Sequence, residues 1–254
     1  MIPTLAVGNL ITTENWQEVP GIEALEYHSP EAFLLADFPT LLHLGMGGVQ
    51  QGFEEVLTRS RCFMADNRVE LFSFDMGPAA PDVLVEDYFF VAPNGPLGWN
   101  DLRDIMCRSI SAAQDACKGA NCVALENLNR FRTSAYDNVC DPGFICEVLE
   151  ETNAGLVLDL AHARITAENE FEELEKYLYA LPLERVFELH LSEPGVVNGT
   201  WRDLHGAPQE ETWTLLRRLR IRLPDRFYCV IEYDGCWETL KRCHERLAEE
   251  AICG

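Results

Sequence analysis

The sequence predicts an α/β fold, a (β/α)8 barrel of the TIM type in which residues 1–254 form a single domain. Eight short apolar runs follow one another along the chain, and longer helical patterns lie between them. The length of 254 residues matches the usual size of such a barrel, and apolar residues make up 47% of the chain, enough for a large core. An open, doubly wound parallel sheet is the alternative arrangement of the same units.

The eight apolar runs are too short for helices and lack a strict alternation of apolar and polar residues. Runs of this kind are typical of parallel strands that are buried on both faces. In chain order they occupy residues 5–10, 22–28, 40–46, 69–76, 122–128, 156–162, 186–192 and 228–234.

Helical patterns separate most of these runs, and strands that alternate with helices predict βαβ units and a parallel sheet. The helical patterns cover residues 51–63, 100–119, 171–181, 210–220 and 236–250. The segment 77–100 contains Gly, Pro and Asn and is predicted to be a large loop that covers one mouth of the barrel.

The chain is strongly acidic, with 42 acidic and 20 basic residues and a formal net charge of −22. This charge argues against a nucleic-acid partner, because binding to phosphates requires Lys and Arg. We find no apolar stretch long enough for a membrane span and no secretion signal, and therefore expect a cytoplasmic protein. The ten cysteines form no CxxC pair and are expected to be reduced.

Histidines and carboxylates mark the C-terminal ends of the predicted strands or the loops that follow them. The carboxyl ends of barrel strands meet on one face, where buried carboxylates need cations to compensate their charge. His and carboxylate ligands suit iron, manganese or zinc, and nine candidates are too many for one ion, so two or three metal ions are predicted. The predicted ligands are His43, Asp75, Glu126, Asp159, His162, His190, Asp203, His205 and Glu232.

The spacing within two motifs supports this set of ligands. In WRDLHGAP, an extended backbone would place Asp203 and His205 on the same side of the chain. In LDLAHA, Asp159 leaves the strand and His162 is expected to follow within one loop turn.

Other residues near the strand ends are expected to support the ligands. Glu126 in LENLN is a candidate bridge between metals, and Asn127 is a possible hydrogen-bond donor behind it. Glu26 is a second supporting candidate, and His28 has a weaker claim to the same role because a predicted helix start follows it. His244 lies inside the last helical pattern and is predicted to be on the surface.

The motifs LLHLGMG, LENLN, LDLAHA, ELHLS, WRDLHGAP and VIEYD together resemble those of the multinuclear non-heme iron-dependent oxidases. This is the family of TIM-barrel peptide-modifying enzymes that includes the methanobactin-biosynthesis oxidase. The most specific part is DLHGAPQEETWTLL, an Asp-x-His-Gly-x-Pro run that enters a helix. The resemblance covers the chain from about residue 20 to about residue 235.

The resemblance implies a single catalytic domain that holds two or three iron ions, in mixed Fe(II) and Fe(III) states, and uses O2 as co-substrate. It implies modification of cysteine residues in a ribosomally synthesised precursor peptide, which a small partner protein presents. It gives no reason to expect nucleic acid or a membrane as a partner. Two positions depart from the family pattern: Asp75 stands where the family usually has His, and His162 stands where many members have Asn.

The stretch LLRRLRIRLPDR is a basic island in an acidic chain. We predict that it is a docking surface for an acidic peptide or partner protein, and a solvated helix face is the alternative. Its arginines are Arg217, Arg218, Arg220, Arg222 and Arg226.

Three other classes of function remain open from the sequence. A divalent-metal sugar isomerase or epimerase would need only Glu126, Asp159, His190 and Glu232 around one ion. A trinuclear zinc phosphodiester hydrolase would use a similar ligand set, although the net charge of −22 opposes a DNA substrate. A precursor-binding or metal-storage protein without catalytic activity fits least well, because so many ligands face inward.

Overall fold

The structure, a computed structural model, describes residues 1–8, 10–11, 15–32, 35, 38–66, 69–117, 123–170 and 172–253. Its strands are β1 (Ile2–Val7), β2 (Ala24–Tyr27), β3 (Thr40–Gly47), β4 (Val69–Asp75), β5 (Leu84–Glu86), β6 (Phe89–Val91), β7 (Val123–Glu126), β8 (Gly155–Asp159), β9 (Val186–Leu191), β10 (Glu193–Val197), β11 (Thr200–Gly206) and β12 (Tyr228–Ile231). Eight of them pair in parallel as a closed barrel in the order β1-β12-β9-β8-β7-β4-β3-β2, which confirms the predicted (β/α)8 fold.

Each of the eight predicted apolar runs overlaps one strand of the barrel. The first strand starts at Ile2, earlier than the predicted run. Residues 9 and 122 of the predicted runs lie outside the described part of the chain, as do residues 118–119 and 171 of the helical patterns.

The helices are α1 (Phe53–Asp66), α2 (Trp99–Cys117), α3 (Pro142–Thr152), α4 (Leu160–Glu170), α5 (Leu174–Ala180), α6 (Glu210–Leu219) and α7 (Trp237–Cys253). Five of them correspond to the predicted helical patterns, whereas α3 and α4 were not predicted. Asp141 caps α3 by accepting hydrogen bonds from the backbone N–H groups of Gly143 and Phe144, and Pro142 occupies its first turn. In the described part of the chain, no helix has both the length and the apolar composition that crossing a membrane would require.

Two β-hairpins replace segments that were predicted to be loops. Residues 77–98 contain the antiparallel pair β5–β6, so the prediction of one large loop over 77–100 is wrong in this part. The pair β10–β11 follows β9, so Asp203 and His205 lie on a strand rather than in a loop. Asn198 and Gly199 form its turn with φ of 52° and 80°, the left-handed backbone that a tight hairpin turn needs.

The inside of the barrel has an apolar end and a polar end. A cluster separate from the main core fills the part near the N-terminal ends of the strands; it consists of Ile2, Ala24, Leu41, Leu71, Ala124 and Val157. Buried polar side chains follow two positions later on β2 and β4, at Glu26 and Ser73, and Glu188 on β9 is a further one. The closely packed apolar end gives the polar end a rigid base.

Gly47 at the end of β3 allows a close approach of two backbone segments. A Cβ atom at this position would overlap the carbonyl oxygen of Gly77, which belongs to the backbone and cannot rotate away. We therefore expect Gly47→Ala to lower the free energy of unfolding by about 3 kcal/mol. Urea denaturation measures this loss. Gly45→Ala in the same strand is the control, because its Cβ meets no atom within 4 Å and should leave stability unchanged or slightly higher.

Candidate metal centre

The predicted ligands come together at the C-terminal ends of the barrel strands. Asp75 and Glu126 are register partners on β4 and β7, and Asp159 and His190 are partners on β8 and β9. Because side chains alternate along a strand, this register points both pairs into the barrel, and Asp159 lies two positions beyond Val157, the register partner of Glu126. All four are buried, with at most 8% of their surface exposed.

His43, Asp75 and Glu126 form the first group of donor atoms. The Nε2 atom of His43 lies 3.4 Å from Oε2 of Glu126 and 3.8 Å from Oδ1 of Asp75. One donor atom from each residue lies within 4.8 Å of the others, which is close enough for a single cation to contact all three.

Glu126 also belongs to a second group, with Asp159, His190 and Glu232. The Nδ1 atom of His190 lies 3.0 Å from Oε1 of Glu126 and 3.5 Å from Oε2 of Glu232. The two carboxylate oxygens of Glu126 therefore face different groups. This arrangement would allow Glu126 to bridge two cations.

His162, Asp203 and His205 form a third contact set beside these groups. Oδ2 of Asp203 lies 3.3 Å from Nε2 of His162 and 2.9 Å from Nε2 of His205. His162 lies in the first turn of α4, not in a loop turn as predicted, because the helix begins immediately after Asp159. Its Nδ1 faces the backbone oxygen of Asn127 at 2.9 Å, which turns Nε2 toward Asp203.

The burial of so many ionisable groups shifts their protonation. Burial raises the pKa of Asp75 to about 7, and the neighbouring Glu126 adds to this rise. Burial also raises the pKa of Asp159 to about 7. For His43, burial alone would lower the pKa, but Glu126 overrides it and raises the value to about 9. Without a cation, Asp75 and Asp159 are therefore partly protonated near neutral pH, and the imidazole of His43 is protonated.

One buried atom shows that this donor set fits a cation. Oδ2 of Asp159 is buried and has no hydrogen-bond partner, although Oδ1 of the same carboxylate accepts from the backbone N–H of His162. A buried carboxylate oxygen without a partner is costly unless a cation contacts it. Carboxylate and imidazole donors are those that borderline divalent metals accept.

The supporting residues predicted from the sequence contact the centre. The side-chain amide of Asn127 donates to the backbone oxygen of Asp159 at 3.0 Å and accepts from its N–H at 2.9 Å, which holds the end of β8. Glu26 lies 3.3 Å from Nε2 of His190 and also 2.8 Å from Nε2 of His28. His28 therefore contacts the supporting glutamate, and these two residues also form a candidate cation group with the predicted ligand Glu232.

Sequence reasoning missed two further residues beneath the ligands, Ser73 and Glu188. Each precedes a predicted ligand by two positions on the same strand, namely Asp75 on β4 and His190 on β9. A spacing of two places both side chains on the inner face of the barrel, and this signal was available in the sequence. Both are fully buried.

His244 is not on the surface, so that prediction is wrong. Its side chain is fully buried, and neither ring nitrogen has a hydrogen-bond partner. It lies on the inner face of α7 with Leu240, Cys243 and Leu247, all buried and spaced by three or four residues as on one side of a helix.

Four of the five arginines of the basic island contact partners within the chain. Arg217 contacts Glu210 and Glu250, each at 3.0 Å. Arg218 pairs with Glu175 at 2.8 Å, whereas Arg220 and Arg222 stack over the aromatic rings of Phe227 and Tyr179. The ion pairs are exposed, and such pairs contribute little to stability, about 1 kcal/mol or less.

A cavity of about 620 Å³ opens beside the centre. Its lining includes His28, His205 and Glu232 together with apolar residues such as Val7 and Leu240. A substrate group in this cavity would reach two of the predicted ligands directly.

A model of the family described as "RiPP precursor modification enzyme MbnB/TglH/ChrH" matches residues 42–251. A UPF0276 protein of Paraburkholderia phytofirmans is 34% identical over 119 residues, which are 43% of this chain and 38% of that protein. A UPF0276 protein of Vibrio vulnificus strain YJ016 is 28% identical over 168 residues, 59% of this chain and 56% of that protein. The chain thus spans about half, or less, of the length of the curated relatives it matches.

Solved structures with the same fold include sugar epimerases. The D-allulose 3-epimerase of a Methylomonas species, in complex with D-allulose, has a TM-score of 0.62 at 13% identity, with coverage of 100% of this chain and 96% of that chain. The 3-keto-D-glucoside 4-epimerase of E. coli has a TM-score of 0.58 at 14% identity, with full coverage of both chains. At this identity, the likeness shows the barrel fold alone. The family match covers most of the chain, including all nine predicted ligands, and the chain therefore belongs to the MbnB/TglH/ChrH family of RiPP precursor modification enzymes.

Proposed function

We propose that the chain is a multinuclear iron-dependent oxidase that uses O2 to modify cysteine residues of a ribosomally synthesised precursor peptide, with residues 1–254 as one catalytic domain. The main supporting observation is the position of Glu126, whose two carboxylate oxygens face two different groups of buried donor atoms. A family that modifies precursor peptides supplies the substrate class.

The contact sets support three positions for iron. His43, Asp75 and Glu126 would hold one ion, and Glu126 would share a second with Asp159, His190 and Glu232. The third set, His162, Asp203 and His205, would hold a further ion in a three-iron centre. Bound iron supplies one-electron chemistry with O2 and an attachment point for a deprotonated thiol.

The protein's own contribution is orientation and exclusion of water. The strand ends hold the carboxylates at fixed positions. The backbone oxygen of Asn127 accepts a hydrogen bond from Nδ1 of His162 and fixes its ring, and the side-chain amide of Asn127 holds the carboxyl end of β8. The cavity beside His205 and Glu232 gives a peptide side chain access from one side, while the apolar end of the barrel closes the other. A cysteine of the peptide would therefore approach the centre along this cavity.

Anaerobic reconstitution tests the proposal. Metal-free protein is loaded with Fe(II), the iron content is measured, and O2 is added with a cysteine-containing precursor peptide encoded near the chain. We expect two or three iron ions per chain and a mass change confined to the cysteine-containing fragment. A peptide with Cys→Ser is the substrate control. Equal turnover by zinc-loaded protein, or no mass change with iron, would contradict the oxidase proposal.

A sugar epimerase is the second candidate, because one observation favours it. The four residues Glu126, Asp159, His190 and Glu232 form a complete one-metal group without the other five predicted ligands. The structural neighbours named above are epimerases of this barrel fold. Incubation of manganese-loaded protein with D-allulose separates the two functions: an epimerase makes a second ketose with one metal per chain, and the proposed oxidase does not.

We also propose the basic island as the docking surface for an acidic partner protein or peptide. Its ion pairs at Arg217 and Arg218 are exposed and can exchange their carboxylate partners at small cost. The double variant Arg217→Glu and Arg218→Glu is expected to weaken binding of the precursor peptide at least about tenfold while bound iron stays the same. Fluorescence anisotropy with labelled peptide measures the affinity. Unchanged affinity, or loss of iron, would argue against this surface.

A further inference from the structure

Ser73 and Glu188 form a polar connection inside the barrel and are not among the nine predicted ligands, although Glu188 also lies 3.7 Å from Nε2 of His190. Both side chains are fully buried, at positions where barrels of this type normally carry branched apolar residues. A well-packed apolar residue would be at least as stable there as a buried carboxyl group. Their presence therefore points to a polar contact that the centre requires.

Ser73 connects a predicted ligand to Glu188. Its Oγ lies 2.9 Å from Nδ1 of His43 and donates a hydrogen bond to Oε2 of Glu188 at 3.4 Å. The residues come from β3, β4 and β9, so the connection runs across the barrel interior. It ends directly beneath the group formed by His43, Asp75 and Glu126.

The direction of these hydrogen bonds sets the tautomer of His43. A hydroxyl group has one hydrogen, and Ser73 gives it to Glu188. Ser73 can then only accept from His43, so Nδ1 of the imidazole must carry hydrogen. In the neutral imidazole the lone pair then lies on Nε2, which faces Glu126 at 3.4 Å and Asp75 at 3.8 Å.

We propose that Ser73 and Glu188 are positioning residues that fix His43 as the Nδ1–H tautomer and present Nε2 to the metal. The inference rests on the proposed function, because it takes His43 to be a ligand of the bound metal. A carboxyl group keeps an accepting oxygen in either protonation state, so the role of Glu188 does not depend on its charge. Removal of such a hydrogen-bond partner from a ligand histidine lowers metal affinity about 10- to 100-fold.

The first test compares cobalt binding by three variants with that of the full-length wild type. Co(II) is added anaerobically to metal-free protein, and its visible absorption reports affinity and coordination. Ser73→Ala and Glu188→Leu should lower the Co(II) affinity of the site that contains His43 about 10- to 100-fold and change its absorption spectrum. Ser60→Ala is the matched control, since Ser60 is equally buried but donates to the backbone of α1 at Val56. It should bind cobalt like the wild type.

The second test reads the ring nitrogens directly. In zinc-loaded protein with ¹⁵N-labelled histidine, His43 should show a protonated Nδ1 and a metal-bound Nε2, and Ser73→Ala should move the Nδ1 resonance. A metal on Nδ1, wild-type cobalt affinity in Ser73→Ala, or an equal loss in Ser60→Ala would overturn the inference. If the wild type binds metal, these outcomes overturn only the role of Ser73 and Glu188 and not the proposed function. A wild type that binds no metal would overturn both the inference and the proposed function.

Discussion

Glu126→Gln is expected to remove two bound metal ions from the centre, whereas Asp75→Asn is expected to remove only one. Glu126 contributes an oxygen to both groups of donor atoms, but Asp75 belongs to one of them. An amide can offer one weak oxygen donor and no negative charge, so it cannot bridge two cations. Without the bridge, we expect peptide modification to fall at least about 10³-fold, equivalent to about 4 kcal/mol.

The measurement is metal content per chain after anaerobic loading and desalting, combined with single-turnover mass spectrometry of the peptide. Glu245→Gln is the control, since this exposed glutamate on α7 lies away from the centre and should leave both readouts unchanged. Equal metal loss in Glu126→Gln and Asp75→Asn would show that Glu126 is not shared. Full metal content in Glu126→Gln would remove it from the ligand set.

Loss of Glu126 should also affect the metal-free protein. The carboxylate of Glu126 raises the pKa values of His43 and His162. These two histidines in turn hold the pKa of Glu126 well below its ordinary value. Removal of one partner from a buried charged group leaves the others uncompensated. The variant should therefore be less stable than the wild type near neutral pH, which thermal unfolding of both metal-free proteins would show.

Much of the barrel could be predicted from the sequence because buried parallel strands have an unmistakable apolar composition. The helix α4 could not be separated in this way, since it begins at Leu160 directly after β8, and the run LVLDLAH crosses the boundary. By contrast, the sequence contains a clear start signal for α3, with Asp141 as the N-cap and Pro142 as the first helical residue. The hairpin β10–β11 had an equally clear signal in Asn198-Gly199.

The site was predictable to the extent that it depends on strand ends. The register of parallel strands converts a position in the sequence into a height in the barrel, and the side chains of Asp203 and His205 do lie together, 2.9 Å apart. The pairing of Ser73 with Glu188, 115 residues later, depends on which strands face each other across the barrel. No local sequence pattern predicts this pairing, because it follows from the closure of the β-barrel.

The burial of His244 likewise could not be predicted from the local sequence, which indicated a surface position. This burial leads to a second large predicted effect, on the pH dependence of stability. Burial lowers the pKa of His244 to about 4, from an ordinary value near 6.5. Between these two values the unfolded chain binds a proton that the folded chain does not. This residue therefore costs no stability above about pH 6.5, and it destabilises the fold increasingly as the pH falls toward 4.

His244→Leu should remove this acid sensitivity. Between pH 7.5 and pH 5, the wild type is expected to lose about 2 kcal/mol more of its free energy of unfolding than the variant loses. The measurement is urea denaturation of both metal-free proteins at the two pH values, so that shifts from the metal centre cancel in the comparison.

Leu247→Val provides the control on the same buried face of α7. It should cost about 1 kcal/mol at both pH values, because it changes packing without changing a proton equilibrium. An identical pH dependence for wild type and His244→Leu would mean that His244 is protonated in the folded chain and has a hydrogen-bond acceptor. Because burial without a partner is the only cause of the lowered pKa, this result would also contradict the inward position of this side chain.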